Sequence, residues 1–139
     1  MRKLALIFIA GAAIAQAPSF KPVGSMSQLM VNIIYPTSDA LFYIERNPPK
    51  TDADWGLISN QALMLAESGN LLMLPGRARD QGNWITDSKM LVDVGAAAYK
   101  LARAKDMQGI LDLNDQLTAS CVVCHDQYRP DYRHRPPAQ

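Results

Sequence analysis

Cys121-Val122-Val123-Cys124-His125 ends the last apolar helical stripe of this chain, and it contains the only two cysteines among 139 residues. Two thiols three residues apart can each add across a vinyl group of haem, and the adjacent imidazole can then reach the iron as an axial ligand. If the segment is helical, positions i, i+3 and i+4 share a face, so Cys121, Cys124 and His125 converge on one ligand. Other uses of the spacing exist. A thioredoxin-like dithiol starts a helix after a strand, whereas here an apolar helical pattern enters the motif from upstream. A zinc site needs four ligands, and without a second cysteine pair only His134 and a carboxylate are left to complete one. In haem-free chain in an oxidising compartment, a Cys121–Cys124 disulfide is the remaining option.

Upstream of the motif the stripe runs back through Leu117, Leu113 and Ile110 to about Asp106, and Pro130 stops it downstream. Three more helical segments precede it. The first covers Val23 to Arg46, with Met26, Met30, Ile33, Thr37, Ala40 or Leu41, and Ile44 at helical steps. Pro36 lies inside it and lacks the N–H that would bond Asn32, which predicts a kinked or interrupted helix. The second opens at Thr51-Asp52-Ala53-Asp54, a capping box with acidic residues in the first turn. It continues through Trp55, Ile58, Ala62, Leu65, Gly69 and Leu72 until Pro75-Gly76. The third begins after Gly82 with Asn83 as predicted N-cap and a stripe of Trp84, Leu91, Val94, Ala98 and Leu101. Asp87 interrupts that stripe where a carboxylate suits the helix dipole. Four segments of roughly 20 residues, each about 30 Å long, predict an all-α, antiparallel up-down-up-down four-helix bundle. Met64, Met73 and Met90 are expected in its core or beside the ligand.

The chain opens with Arg2 and Lys3, an apolar run from Leu4 to Ala15, and Ala15-Gln16-Ala17, in the manner of a secretory signal peptide over 1–17. A run of a dozen residues is short of the ~20 needed to span a bilayer. The expected mature domain is 18–139, located in the periplasm, with no stable membrane insertion after cleavage. Loss of Arg2 and Lys3 from 14 basic side chains leaves 12 against 13 acidic ones, a net charge of −1. No basic surplus is left for nucleic acid. Arg129, Arg133, His134 and Arg135 form a basic tail read as solvated surface.

Position and local sequence together resemble the class II c-type cytochromes, the cytochrome c-prime type: Cys121-Val-Val-Cys124-His125-Asp-Gln-Tyr128-Arg129 is similar to the family's C-x-x-C-H-x-x-[YF]-R. By architecture the resemblance covers the mature chain, and by motif residues 121–129. It implies one haem c, bound covalently at Cys121 and Cys124, with His125 as proximal iron ligand and Arg129 beside the imidazole or a propionate. It further implies that a first-helix residue faces the iron's other side. Met30 takes that place, with Met26 one turn earlier as runner-up. Met ligation implies a six-coordinate electron carrier working with redox partner proteins, and a non-ligand there implies a five-coordinate haem that binds NO or CO. The family often forms dimers through its first two helices. Catalysis finds no support: no Ser-His-Asp grouping and no Gly-rich phosphate loop occur.

Overall fold

The computed structural model describes residues 19–132. The leader, with Ala15 to Ala17, and the tail from Arg133 on, with His134, lie outside the described residues. Among the described residues six α-helices, α1 (Met26–Leu29), α2 (Tyr35–Phe42), α3 (Asp52–Leu72), α4 (Asn83–Arg103), α5 (Met107–Asp112) and α6 (Asn114–Tyr128), make four helical arms. A π-helical turn, Met30–Ile34, joins α1 to α2. The described residues contain no strand, so the fold is all-α and compatible with a helical bundle. No helix among them is long and apolar enough to cross a membrane.

The first arm opens on a capping box: the Gln28 N–H donates to Ser25 Oγ (3.2 Å), and the Ser25 N–H donates to Gln28 Oε1 (2.8 Å). Its π-turn precedes Pro36, the residue expected to interrupt the helix. The second arm starts as its sequence predicts, with the Asp54 N–H donating to Thr51 Oγ1 and the Thr51 N–H to Asp54 Oδ2.

In the third arm the cap shifts by one residue. Gly82 is the N-cap and Asn83 already belongs to the helix. Asp80 Oδ1 does the capping instead, accepting the N–H groups of Gly82 (2.8 Å) and Trp84 (3.1 Å). The fourth arm, expected to be continuous, is two helices separated at Leu113. A tight turn there leaves the stripe of Ile110, Leu113 and Leu117 in step.

Leu29, Ile34, Leu41, Ile44, Leu65, Leu72, Trp84, Leu91, Val94, Ala98, Ile110 and Leu117 form one core contributed by all four arms. Met64, expected inside, is 47% exposed, because it falls beside the buried positions Ala62, Leu65 and Ala66 on α3. The closest helix pair is α3 with α4. A Cβ on Gly95 would stand 2.6 Å from the Ala66 nitrogen, and one on Gly69 would stand 2.7 Å from Val92 Cγ2. Only hydrogen at these two positions lets the backbones approach so closely.

Candidate functional site

α6 carries the C-x-x-C-H residues in its C-terminal half. Cys124 is buried, while Cys121 and His125 are half-buried on the same side. Both cysteines are free thiols. Arg129 follows as the C-cap, its N–H donating to the His125 carbonyl (2.8 Å).

Two adjoining cavities meet at these residues. The outer cleft, about 270 Å3, is walled by Cys124, His125 and Tyr128 of α6, Trp84 of α4, and Met26 and Met30 of the first arm, with Arg79 and Arg129 at its rim. The inner one, about 50 Å3, is lined mostly by apolar side chains, among them Ile34, Leu72 and Leu91, and by both cysteines. Met30, Cys124 and His125 are common to the two cavities, whereas Met26 reaches only the outer one. The structure therefore brings together Cys121, Cys124, His125, Met30 and Arg129, residues from the two ends of the described chain.

Burial sets the acid–base state of the site. It pushes the Cys124 thiol up to about 11, with smaller contributions from the Asp87 and Cys121 charges. Burial also raises Cys121, opposed by a contact with the Ser120 hydroxyl. His125 is lowered, first by burial and then by the Arg129 charge, against an opposing effect of Asp126. Near neutral pH the site thus presents two neutral thiols and a neutral imidazole. A redox-active dithiol needs a depressed thiol pKa and takes it from a helix N-terminus or a nearby cation. The environment here acts in the opposite direction.

The end wall comes from residues that spacing alone does not reveal. Tyr128 hydrogen-bonds Asp80 Oδ2 and meets Trp84 edge-to-face, with ring centroids 4.8 Å apart. Trp84 Nε1 donates to the Leu72 carbonyl (2.8 Å), so α3, α4 and α6 are pinned at one point. Burial, followed by the bond to Asp80, pushes the Tyr128 hydroxyl up to about 12, and the same bond leads the lowering of Asp80. The detectable signal for Asp80 is its Asx turn, a carboxylate bonding the N–H two residues on in Asp80-Gln81-Gly82. Of the two loop arginines, Arg79 borders the cleft while Arg77 turns away, donating to the Gly24 carbonyl (3.1 Å).

Asp87 departs from its expected role. It is 5% exposed, lines the inner cavity, and its carboxyl is raised by burial and then by the Asp80 charge. Its Oδ2 and the Oγ of the neighbouring Ser88 are buried without a hydrogen-bond partner. Buried polar atoms are nearly always paired, so the two orphans, both on residues that line the inner cavity, stand out. A haem's carboxylates lie on the edge opposite the vinyl groups that two thiols take, so the orphans beside Cys121 and Cys124 would gain no partner from them. What fits a haem is the set of two thiols, an imidazole and an apolar inner wall, with arginines at the outer rim. Among the described residues, no three His, Cys, Asp or Glu side chains gather as a metal-ion cage. Comparison with family models, curated proteins and solved structures yields no match.

Proposed function

We propose that this chain is an exported, periplasmic monohaem c-type cytochrome of the class II kind, an electron carrier and not an enzyme. Its leader is 1–17, and its domain, 18–139, is an antiparallel up-down-up-down four-helix bundle. Gly69 facing Ser88 and Val92 while Gly95 faces Ala66 supports that topology, since the pairing runs in opposite directions along α3 and α4. The observation that carries the functional reading is the cleft shared by Cys124, His125 and Met30.

Bound there, haem c supplies a one-electron iron couple. Cys121 and Cys124 would hold its edge as thioethers, and the neutral His125 imidazole would offer a lone pair to the iron. Met30 would offer a soft thioether sulfur, which favours the ferrous state and raises the potential. Ile34, Leu72 and Leu91 keep water from the ring. Arg79 and Arg129 at the rim are placed to offset carboxylate charge. Two ligands fixed on packed helices keep rearrangement small when the electron count changes. The partners are other redox proteins and a second copy of the chain. The charge balance gives no reason to invoke nucleic acid, and no membrane insertion is proposed once the leader is removed.

Intact-mass measurement on protein exported from a host competent in c-type haem maturation tests the reading. One covalent haem and no titratable thiol are expected. Exported protein that carries both thiols free and no haem contradicts it.

A further inference from the structure

From Met26 to Phe42 the first arm follows an α-helical path except at Met30–Ile34, where the Tyr35 N–H bonds the Met30 carbonyl five residues back. Pro36 supplies the cause. It has no N–H to give, and in an unbroken α-helix its ring would strike the Asn32 carbonyl. A π-turn widens the helix and accommodates one extra residue. The buried side chains record the insertion. Ile34, Thr37, Leu41 and Ile44 are core residues at steps of three and four, yet the preceding core residue is Leu29, five before Ile34. Carbonyls near the turn are satisfied by hydroxyls: Thr37 Oγ1 donates to Ile33 (2.7 Å) and Ile34 (2.9 Å), and Ser38 Oγ donates to Tyr35 (3.0 Å).

The extra residue decides which side chain enters the cleft. With it, Leu29 fills the seam and Met30, next along the helix, lines both cavities opposite α6. Without it, a continuous α-helix would put Met30 on the face of Ile34, in the seam position of Leu29, and turn it away from the outer cleft, which neither Leu29 nor Ile34 lines. We infer that Pro36 is a positioning residue that aims Met30 at the iron by enforcing the π-turn. This rests on Met30 being the axial ligand.

The test compares four haem-loaded proteins: wild type, Met30→Leu, Pro36→Ala, and Pro36→Ala with Val31 deleted. Val31 is 62% exposed, so its removal takes out the inserted residue and leaves the flanking packing in register. The readout is the sulfur-ligated low-spin fraction of the ferric haem by electron paramagnetic resonance, with circular dichroism to follow folding. Pro36→Ala is expected to lower that fraction by about twofold or more and to admit carbon monoxide to the ferrous haem. The deletion in the Pro36→Ala background is expected to restore the wild-type spectrum, which a merely structural role for Pro36 would not produce. A Pro36→Ala spectrum identical to wild type, beside a Met30→Leu spectrum that has lost sulfur ligation, overturns the inference and leaves the ligand standing. An unchanged Met30→Leu spectrum removes the ligand, and this inference with it. If Pro36→Ala does not fold, Val31 deletion with Pro36 retained decides: the ring then meets the Asn32 carbonyl, low-spin character is expected to be lost, and its full retention overturns the inference.

Discussion

Between α3 and α4 the backbones come close enough that a Cβ on Gly95 would sit 2.6 Å from the Ala66 nitrogen, whereas between the first arm, α4 and α6 a cleft of about 270 Å3 stays open. The closed face uses small residues, Ala62, Ala66 and Gly69 on α3 and Gly95, Ala98 and Ala102 on α4, and all of them are buried. The open face uses large ones, Met26, Met30, Trp84 and Tyr128, and the inner cavity adjoining it is lined by Asp87, whose Oδ2 is unpaired. Small residues let helices touch and complete their own packing. Large residues that stop short of contact, beside orphaned polar atoms, describe a space kept for something else. On the proposed reading the first face serves stability and the second a haem, so substitutions in the two should separate cleanly.

The largest expected effect belongs to the open face. Cys124→Ser and Cys121→Ser together should abolish covalent haem attachment, read as loss of the haem mass from the intact protein. Gly95→Val probes the closed face. Its branched side chain meets the Ala66 backbone, so the fold should lose about 1–3 kcal/mol. Denaturant unfolding of the haem-loaded protein should record that loss while the haem spectrum of the folded fraction stays unchanged. Trp84→Phe sits where the two faces join. It removes the bond to the Leu72 carbonyl and leaves a buried acceptor unpaired, an expected cost of about 1 kcal/mol by the same unfolding measurement.

How far the two faces could be read in advance differs for physical reasons. The start of α3 was legible because a capping box is a local bond pattern, written in Thr51 and Asp54 themselves. The seam of α3 and α4 was legible because burial repeats at 3.6 residues. The π-turn was legible only as an interruption. A stripe through Met26, Met30, Ile33 and Thr37 keeps a perfect helical step, and nothing in that period says that Leu29 and Ile34 are the buried pair. Asp87 looked like a dipole-compatible carboxylate because its place on the helix is local, while what lies across from it is a tertiary fact. The break at Leu113 was invisible for a related reason: the turn preserves the apolar step on both sides. Of the candidate site, Cys121, Cys124 and His125 came from spacing. Asp80, Trp84 and Tyr128 as one wall required the fold.

Asp87 provides the smallest of the expected effects, and its sign is definite. Burial raises its folded carboxyl above the ordinary 3.8, so the folded state binds the extra proton. The stabilisation is complete below 3.8 and fades as pH rises through the raised value. Asp80 is shifted the opposite way, and its contribution is lost only as pH falls below 3.8. Thermal melts from about pH 4 to about pH 7 should show the wild-type stability declining relative to Asp87→Asn, which has no such proton to lose. Parallel profiles for the two proteins would mean that Asp87 stays charged in the fold.

As proposed, Met30 and His125 would bind one iron from two sides of the cleft, and the ferric absorption spectrum of the haem-loaded wild-type protein tests that ligation. A low-spin spectrum with the weak far-red band of sulfur-ligated iron, and a ferrous form slow to take up carbon monoxide, is the predicted result. A high-spin, five-coordinate spectrum with ready carbon monoxide binding would contradict it and describe a gas-binding haem protein in place of an electron carrier.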